Sequence, residues 1–351
     1  MFMKKQVSVF LTIILCLTIV LCLTVLAACS QKIAEPAASN QNRPEAAQSN
    51  SHETSHYPLN LSIYNNEGKE IQQTIEKEPQ RVVVIGQGLA ELMIHFGEEK
   101  RIAGLAYLDK SYSNYEKQIK QLPLLTDMWP SKESILALQP DLIVSMSSAF
   151  TNERLGDISF WNKRGIAVVT GINYTVGRTI DSFFEDIEKL GTALNIEEKT
   201  NVFVKDQKSR IESIRKKAAQ ATDKPRVLLF AGGQNDTYYY YGPTLCVIDE
   251  MIEGAGGEYI KVSKDTYVEM STESILSVNP DKIVITEFQK SDSEAAKNKL
   301  LLNPSLRNVS AIKNKQVMIA DYTNAIRGSL DLADLYEDVA KFIHPDLFKG
   351  E

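Results

Sequence analysis

Two stretches decide how this chain folds: Ser131 to Val144, SKESILALQPDLIV, and Ser271 to Val284, STESILSVNPDKIV. They start 140 residues apart and agree at nine of fourteen positions. Solenoid repeats run about 20–50 residues, so a period this long predicts two copies of a domain-sized unit. In each copy a serine can cap a helix, a glutamate follows in the first turn, an Ile-Leu pair starts a buried face, and a proline ends the helix. The Pro-Asp turn then leads into Leu142-Ile143-Val144 or Ile283-Val284-Ile285, apolar runs suited to parallel strands covered on both faces. Taken singly, Glu133 and Glu273 are ordinary first-turn acids complementing a helix dipole. Taken as a pair on two equivalent units, they suit a two-point electrostatic dock onto a basic partner.

Outward from the twins the two halves keep their likeness. Arg81 to Gly88, RVVVIGQG, and Arg226 to Ala231, RVLLFA, each read as a buried strand opening a half. Gly86-Gln87-Gly88 is followed by Leu89-Ala90-Glu91, so the third glycine of a dinucleotide fingerprint is missing and a nucleotide site is not expected. Loops after strand carboxyl ends face the crevice of an open α/β sheet whatever the ligand, which makes Gln87 a cleft candidate. The same reasoning selects Tyr107, after the strand Ile102 to Ala106, and Phe288, after the second twin strand. Met128 and Trp129 precede the first twin helix and Tyr267 precedes the second. A Trp beside a Met, held by Pro130, either forms a flat apolar wall for a ring-bearing ligand or packs under its loop. In Tyr238-Tyr239-Tyr240-Tyr241 an extended chain puts Tyr238 and Tyr240 on one face, as a ligand wall or as an edge strand. Arg327 can meet a ligand carboxylate or phosphate, or cap the surface.

The 351 residues are 43% hydrophobic and 24% charged, enough to bury two ordinary α/β cores. A net charge of -6 argues against nucleic acid, whose phosphates need clustered Lys and Arg. Lys4-Lys5, an apolar run from Val7 to Leu26 and then Leu26-Ala27-Ala28-Cys29 read as a lipoprotein leader, with Cys29 as the acylated residue; an uncleaved signal anchor is the alternative. Cys16 and Cys22 leave with that leader, so Cys246 is the one thiol of the folded part, without a disulfide partner and in an apolar setting where a cysteine packs. Neither a structural metal site nor a catalytic constellation is visible. Residues 30–57, rich in Ala, Ser, Asn, Gln and Pro, read as a flexible linker in which His52 and His56 are solvated. Glu197 to Ala221 reads as one long charged helix with Val202, Val204, Ile211 and Ile214 as its apolar positions.

The twin E-S-I-L-x-x-x-P-D motifs, the opening strand and the closing Ala-Lys-Phe-Ile-His-Pro-Asp-Leu-Phe resemble the substrate-binding lipoproteins of ABC importers for iron-siderophores, haem and cobalamin, the class III periplasmic binding proteins, over most of Leu59 to Phe348. The resemblance implies an α/β fold of two Rossmann-like lobes joined by a single long bridging helix, with the ligand cleft between the lobes. Its expected segments are a leader (1–28), a linker (29–57), an N-terminal lobe (58–196), the bridging helix (197–222) and a C-terminal lobe (223–351). It implies that Glu133 and Glu273 engage arginines of a membrane permease dimer that works with an ATPase. A ferric siderophore held by Gln87, Tyr107, Met128, Trp129, Tyr238, Tyr240, Tyr267, Phe288 and Arg327 is the expected ligand. Haem is an alternative, since Met128 stands where a haem-binding relative has an axial methionine; yet the only histidines after the linker are His95 and His344, neither near Phe288. Cobalamin, which needs apolar walls, is another. The expectation is a monomeric receptor on the extracytoplasmic face of the cell membrane, not an enzyme and without a resident cofactor or metal. The rivals from other classes are an extracytoplasmic enzyme and a non-transport sensor.

Overall fold

The Pro-Asp step does the same work twice. In a computed structural model of the chain, which describes residues 55–109, 113–232, 238–264, 267–287 and 293–349, the Asp141 carboxylate accepts hydrogen bonds from the backbone N–H groups of Gln80 and Arg81, each at 2.9 Å. The Arg81 guanidinium in turn donates to the Leu138 carbonyl. In the second half Asp281 accepts from the Arg226 N–H at 2.9 Å, and Arg226 donates to the Val278 carbonyl at 3.0 Å. Gln139 and Asn279, just ahead of the buried prolines, both take left-handed backbone (φ 48° and 43°). The motif thus ends a helix, turns the chain, and clamps the start of a neighbouring strand.

A hairpin, β1 (Leu59–Tyr64) and β2 (Glu70–Ile75), opens the described fold. The first lobe follows: β3 (Val82–Ile85), α1 (Gln87–His95), β4 (Ile102–Ala106), α2 (Glu116–Ile119), β5 (Leu124–Thr126), α3 (Lys132–Ala137), β6 (Leu142–Met146), α4 (Ile158–Asn162), β7 (Ala167–Gly171) and α5 (Ile180–Leu194). Its five strands are all parallel, in the order β5-β4-β3-β6-β7. β3, β6 and β7 are buried along their whole length, as a sheet covered on both faces requires. The hairpin covers the β7 edge, where Gln73 exchanges hydrogen bonds with the Val168 backbone and Thr170 donates to the Tyr64 carbonyl.

The long helix α6 (Glu197–Ala218) leads to the second lobe: β8 (Arg226–Gly232), β9 (Tyr238–Tyr241), α7 (Ile248–Gly254), β10 (Glu258–Tyr259), β11 (Tyr267–Met270), α8 (Thr272–Val278), β12 (Lys282–Glu287), α9 (Ser293–Leu302), α10 (Ser310–Lys313), β13 (Val317–Ile319), a π-helical turn (Thr323–Arg327) and α11 (Leu332–Ile343). Its sheet runs β11-β9-β8-β12-β13, with β10 pairing β8; β8, β12, β13 and β10 are parallel, whereas β9 and β11 are antiparallel additions at one edge. The tyrosine run is therefore a strand, second from that edge. Cys246 is fully buried, as an apolar packing residue should be.

Helix α6 binds both lobes through one stripe. Thr200, Val204, Gln207, Ile211, Ile214 and Ala218 are buried, a 4-3-4-3-4 spacing that keeps one face inward. Of the four apolar positions, Val202 falls out of phase with this stripe and is 67% exposed. At the N-terminal half Lys199 reaches the Phe96 carbonyl and Glu98, both in the first lobe. Farther along, Gln207 accepts from the Ala333 N–H, Arg210 pairs with Asp334, and Arg215 donates to the Tyr336 hydroxyl, all in the second. The end of the linker is also tied down: His56 bonds the Thr192 carbonyl at 2.8 Å and Tyr57 donates to the Ala193 carbonyl at 3.0 Å. His56 is thus half-buried rather than solvated, because the last carbonyls of α5 need donors.

Gly191 lets α5 and α6 touch, since a Cβ there would run into the Thr200 hydroxyl and lie 3.0 Å from the Thr200 Cβ. Gly191→Ala should therefore destabilise the protein by about 1–3 kcal/mol despite alanine's better helix propensity. Urea unfolding will read this as a lower midpoint at unchanged slope; a midpoint at or above wild type would show that the helices can move apart at no cost.

Candidate functional site: the crevice between the lobes

In the first sheet the strand order reverses between β3 and β6, and the carboxyl ends at such a point open onto a crevice. Gly86 follows β3 with φ 135°, a conformation that demands glycine, and the helix begins at once. Gln87 and Gly88 are thus the first turn of α1 rather than a loop. Gly88 is needed for a different reason: a Cβ there would stand 3.2 Å from the Thr323 methyl of the opposite lobe. The Gly-x-Gly pair serves a turn and a lobe contact, not a phosphate. Gln87 is buried and donates to Glu91 at 3.0 Å.

Charged groups close the crevice. Asp109, beyond β4, accepts from Arg327 at 2.5 Å and from the Thr323 hydroxyl at 2.9 Å, joining the first lobe to the π-helical turn of the second. Arg178, just ahead of α5, pairs with Asp186 at 2.6 Å, donates through Nε to the Arg327 carbonyl, and donates its backbone N–H to the Thr244 carbonyl. Asp186 also accepts from the Ile172 N–H at 3.0 Å. What is left at the centre is a cavity of about 20 Å³, the scale of a single water molecule, lined by Gly88, Met146 and these four charged residues among others. A wider hollow of about 610 Å³ lies farther along α1, between His95, Tyr115, Phe203 and Asp331. The smaller cavity is the one at the strand carboxyl ends, where the fold focuses ligand contacts, and it is therefore the candidate site.

An aromatic row runs through this contact. Tyr107 has φ 60°, a conformation in which a bulky residue is strained, and its N–H donates to the Met128 carbonyl at 3.1 Å. Its ring centroid lies 4.4 Å from that of the half-buried Trp129, over which Arg154 sits at 4.0 Å. The Arg327 guanidinium lies 5.5 Å from the Tyr107 ring and 5.6 Å from that of Tyr322, whose hydroxyl is 3.0 Å from the Tyr241 hydroxyl. Met128 itself is 42% exposed.

The sequence reading thus brings Gln87, Tyr107, Trp129 and Arg327 to one place, with Met128 beside Trp129. Tyr240 does not join them: it is fully buried, its ring stacked on Tyr259 at 5.8 Å, and offers no face to a ligand. Tyr238, on the same side of β9, is half-buried against Phe230 at 5.1 Å. The Tyr267 backbone pairs with Tyr241, and its side chain lies outside the described residues, as do Phe288 and Cys29. Glu133 and Glu273 are both exposed in the first turns of α3 and α8, whose serine caps bond the backbone at 3.1 Å in each case. Asp109, Arg178, Asp186 and Glu91 were missed. Their only sequence sign is a charge next to a strand end or inside an apolar helix.

A family model described as periplasmic binding protein matches residues 82–322, which takes in both sheets and most of the crevice. The chain belongs to the periplasmic binding protein family. Its two Rossmann-like lobes and single bridging helix, α6, are the class III form of that family. An uncharacterized ABC transporter substrate-binding lipoprotein, YvrC, of Bacillus subtilis is 25% identical over 276 residues, 79% of this chain and 83% of its own. A cobalamin-binding protein of Halobacterium salinarum is 26% identical over 262 residues, 72% of this chain and 66% of its own. In fold, a periplasmic binding protein from Veillonella parvula superposes with a TM-score of 0.73 at 22% identity, covering 84% of this chain and 94% of that one.

Glu91, buried in α1, ties the stability of this periplasmic binding protein to pH. Burial pushes its carboxyl up to about 7, against hydrogen bonds from Gln87 and Ser113, with Asp321 and Asp109 adding to the rise. The native state therefore holds the proton more tightly than the unfolded chain. The stabilisation is complete below the ordinary value of 4.5 and is lost as pH rises through about 7, a change of up to about 3 kcal/mol. Asp249, pushed up to about 6 mainly by burial, acts in the same direction. Melting temperatures should fall between about pH 5 and 8, and Glu91→Gln should remove much of that slope while leaving the Asp249 part. An unchanged slope in the variant would mean that Glu91 is ionised throughout.

Proposed function

We propose that this chain is a lipid-anchored, extracytoplasmic substrate-binding protein that captures a ferric siderophore or a similar iron complex between its lobes and delivers it to an ABC importer. The observation that carries the reading is the crevice itself: an aromatic row and a guanidinium from opposite lobes meet where the fold places ligands, while two matched, exposed glutamates stand at the heads of the twin helices. The B. subtilis relative is named as an ABC transporter substrate-binding lipoprotein, in keeping with the Leu-Ala-Ala-Cys29 leader of this chain. The role is binding rather than catalysis. A second reading, cobalamin, is favoured by the name of the H. salinarum relative.

Ligands of this size occupy sites of about 300–1,000 Å³. The crevice as it stands has room for a water molecule, so loading a ligand of this size requires the lobes to part. Such a cycle of opening around α6 and closing on cargo is what a receptor does that must hold a molecule and then surrender it.

Trp161 is fully buried with its indole N–H bonded to the Leu155 carbonyl, so Trp129 is the residue whose fluorescence reports on the crevice. Titration of the mature protein with ferric siderophores, haem and cobalamin should quench that signal, and Trp129→Phe should abolish the change. Binding of a sugar, a peptide or a free metal ion instead would overturn the ligand assignment. The docking role has its own readout. Glu133→Ala combined with Glu273→Ala should slow cellular uptake by about tenfold or more and leave ligand affinity in solution as it was, because exposed charges act on association with a partner. Normal uptake by the double variant would reduce both glutamates to complements of their helix dipoles.

A further inference from the structure

Among the described residues, the charges that line the crevice are matched one to one. They are carried by two arginines, Arg178 and Arg327, and two aspartates, Asp109 and Asp186. Arg178 is committed: Asp186 holds one of its nitrogens, the Arg327 carbonyl takes another, and Asp186 is itself fixed by the Ile172 N–H. Arg327 is the cation whose ionic partner comes from the other lobe, the Asp109 carboxylate, 1% exposed and steadied by Thr323. Arg154 lies over Trp129 on the exposed rim, where water and salt screen it.

We propose that the crevice selects metal complexes carrying no net negative charge, and that Asp109 is the residue that turns anionic complexes away. The inference rests on the reading above and adds a ligand class to it. An anionic ligand can take Arg327 only by evicting Asp109. The displaced carboxylate stays in the crevice facing the incoming negative charge, and an unpaired buried charge is costly. A neutral complex has no such conflict. Its carbonyl oxygens can accept from Arg327 and its amide or hydroxyl groups can donate to Asp109, so both charges keep polar partners while Tyr107 and Trp129 cover its apolar surface.

The test is a Trp129 quenching titration of the mature wild-type protein with four probes: a neutral ferric trihydroxamate and cobalamin, against a triply negative ferric tricatecholate and haem with its two propionates. The first pair should supply the best ligand, by about tenfold or more over the better of the second pair. Asp109→Asn keeps the side-chain shape and removes the charge. It should raise the affinity for the anionic probes by about tenfold, change the neutral ones by less than about threefold, and lose that gain when combined with Arg327→Gln. An anionic probe as best ligand of the wild type, or an unaltered preference in a folded Asp109→Asn, overturns the charge rule and leaves the functional reading standing. Failure of all four probes overturns both. Should the variant not fold, the wild-type order of affinities decides alone.

Discussion

Everything in this molecule is hung on one helix. Along the buried stripe of α6, Thr200 meets Gly191 of the first lobe and Gln207 bonds Ala333 of the second, and the polar side chains repeat the division, with Lys199 tied to one lobe and Arg210 and Arg215 to the other. A 22-residue helix without glycine or proline bends only gently. The lobes are therefore joined by a stiff rod gripped at both ends, and what motion they have must come from small shifts in side-chain packing along it. That constraint makes the front of the crevice decisive. With the back held by α6, the contacts of Asp109, Arg178, Thr323 and Arg327 set how firmly the lobes close.

Those contacts hold only while each charge keeps a partner. A buried ion pair gains its Coulomb attraction only by giving up the hydration of both charges, so its net contribution is small even where its geometry is good. The strained backbone of Tyr107 stands in the same region. The crevice is thus closed by interactions that are specific in direction and modest in strength, flanked by rings that offer contact area without charge. In the first lobe the sheet that carries this seam is itself well covered: β3, β6 and β7 are buried end to end.

Local rules made the frame legible. Serine caps, first-turn acids, terminating prolines and apolar strand runs are short-range signals, and their recurrence after 140 residues announced the two lobes. Positions that depend on distant neighbours were legible only in part. Gly88 looked like half of a nucleotide motif because its real reason, Thr323, lies in the other lobe. Tyr240 shares a face with Tyr238, as alternation requires, but alternation could not say that Tyr259 would cover it. Asp109 and Arg327 meet across 218 residues of chain, and neither carries a local mark of the other. Val202 is apolar by residue type, yet the phase of the stripe puts it in water.

The doubled Pro-Asp clamp has a consequence for how the protein presents itself. Because Asp141 and Asp281 bolt the tail of each twin helix to the strand that leads its own sheet, neither helix can drift relative to its lobe. Glu133 and Glu273 are rigid markers, one per lobe. Any rotation about α6 therefore carries each carboxylate with its own sheet, and the positions of the two glutamates follow those of the two lobes.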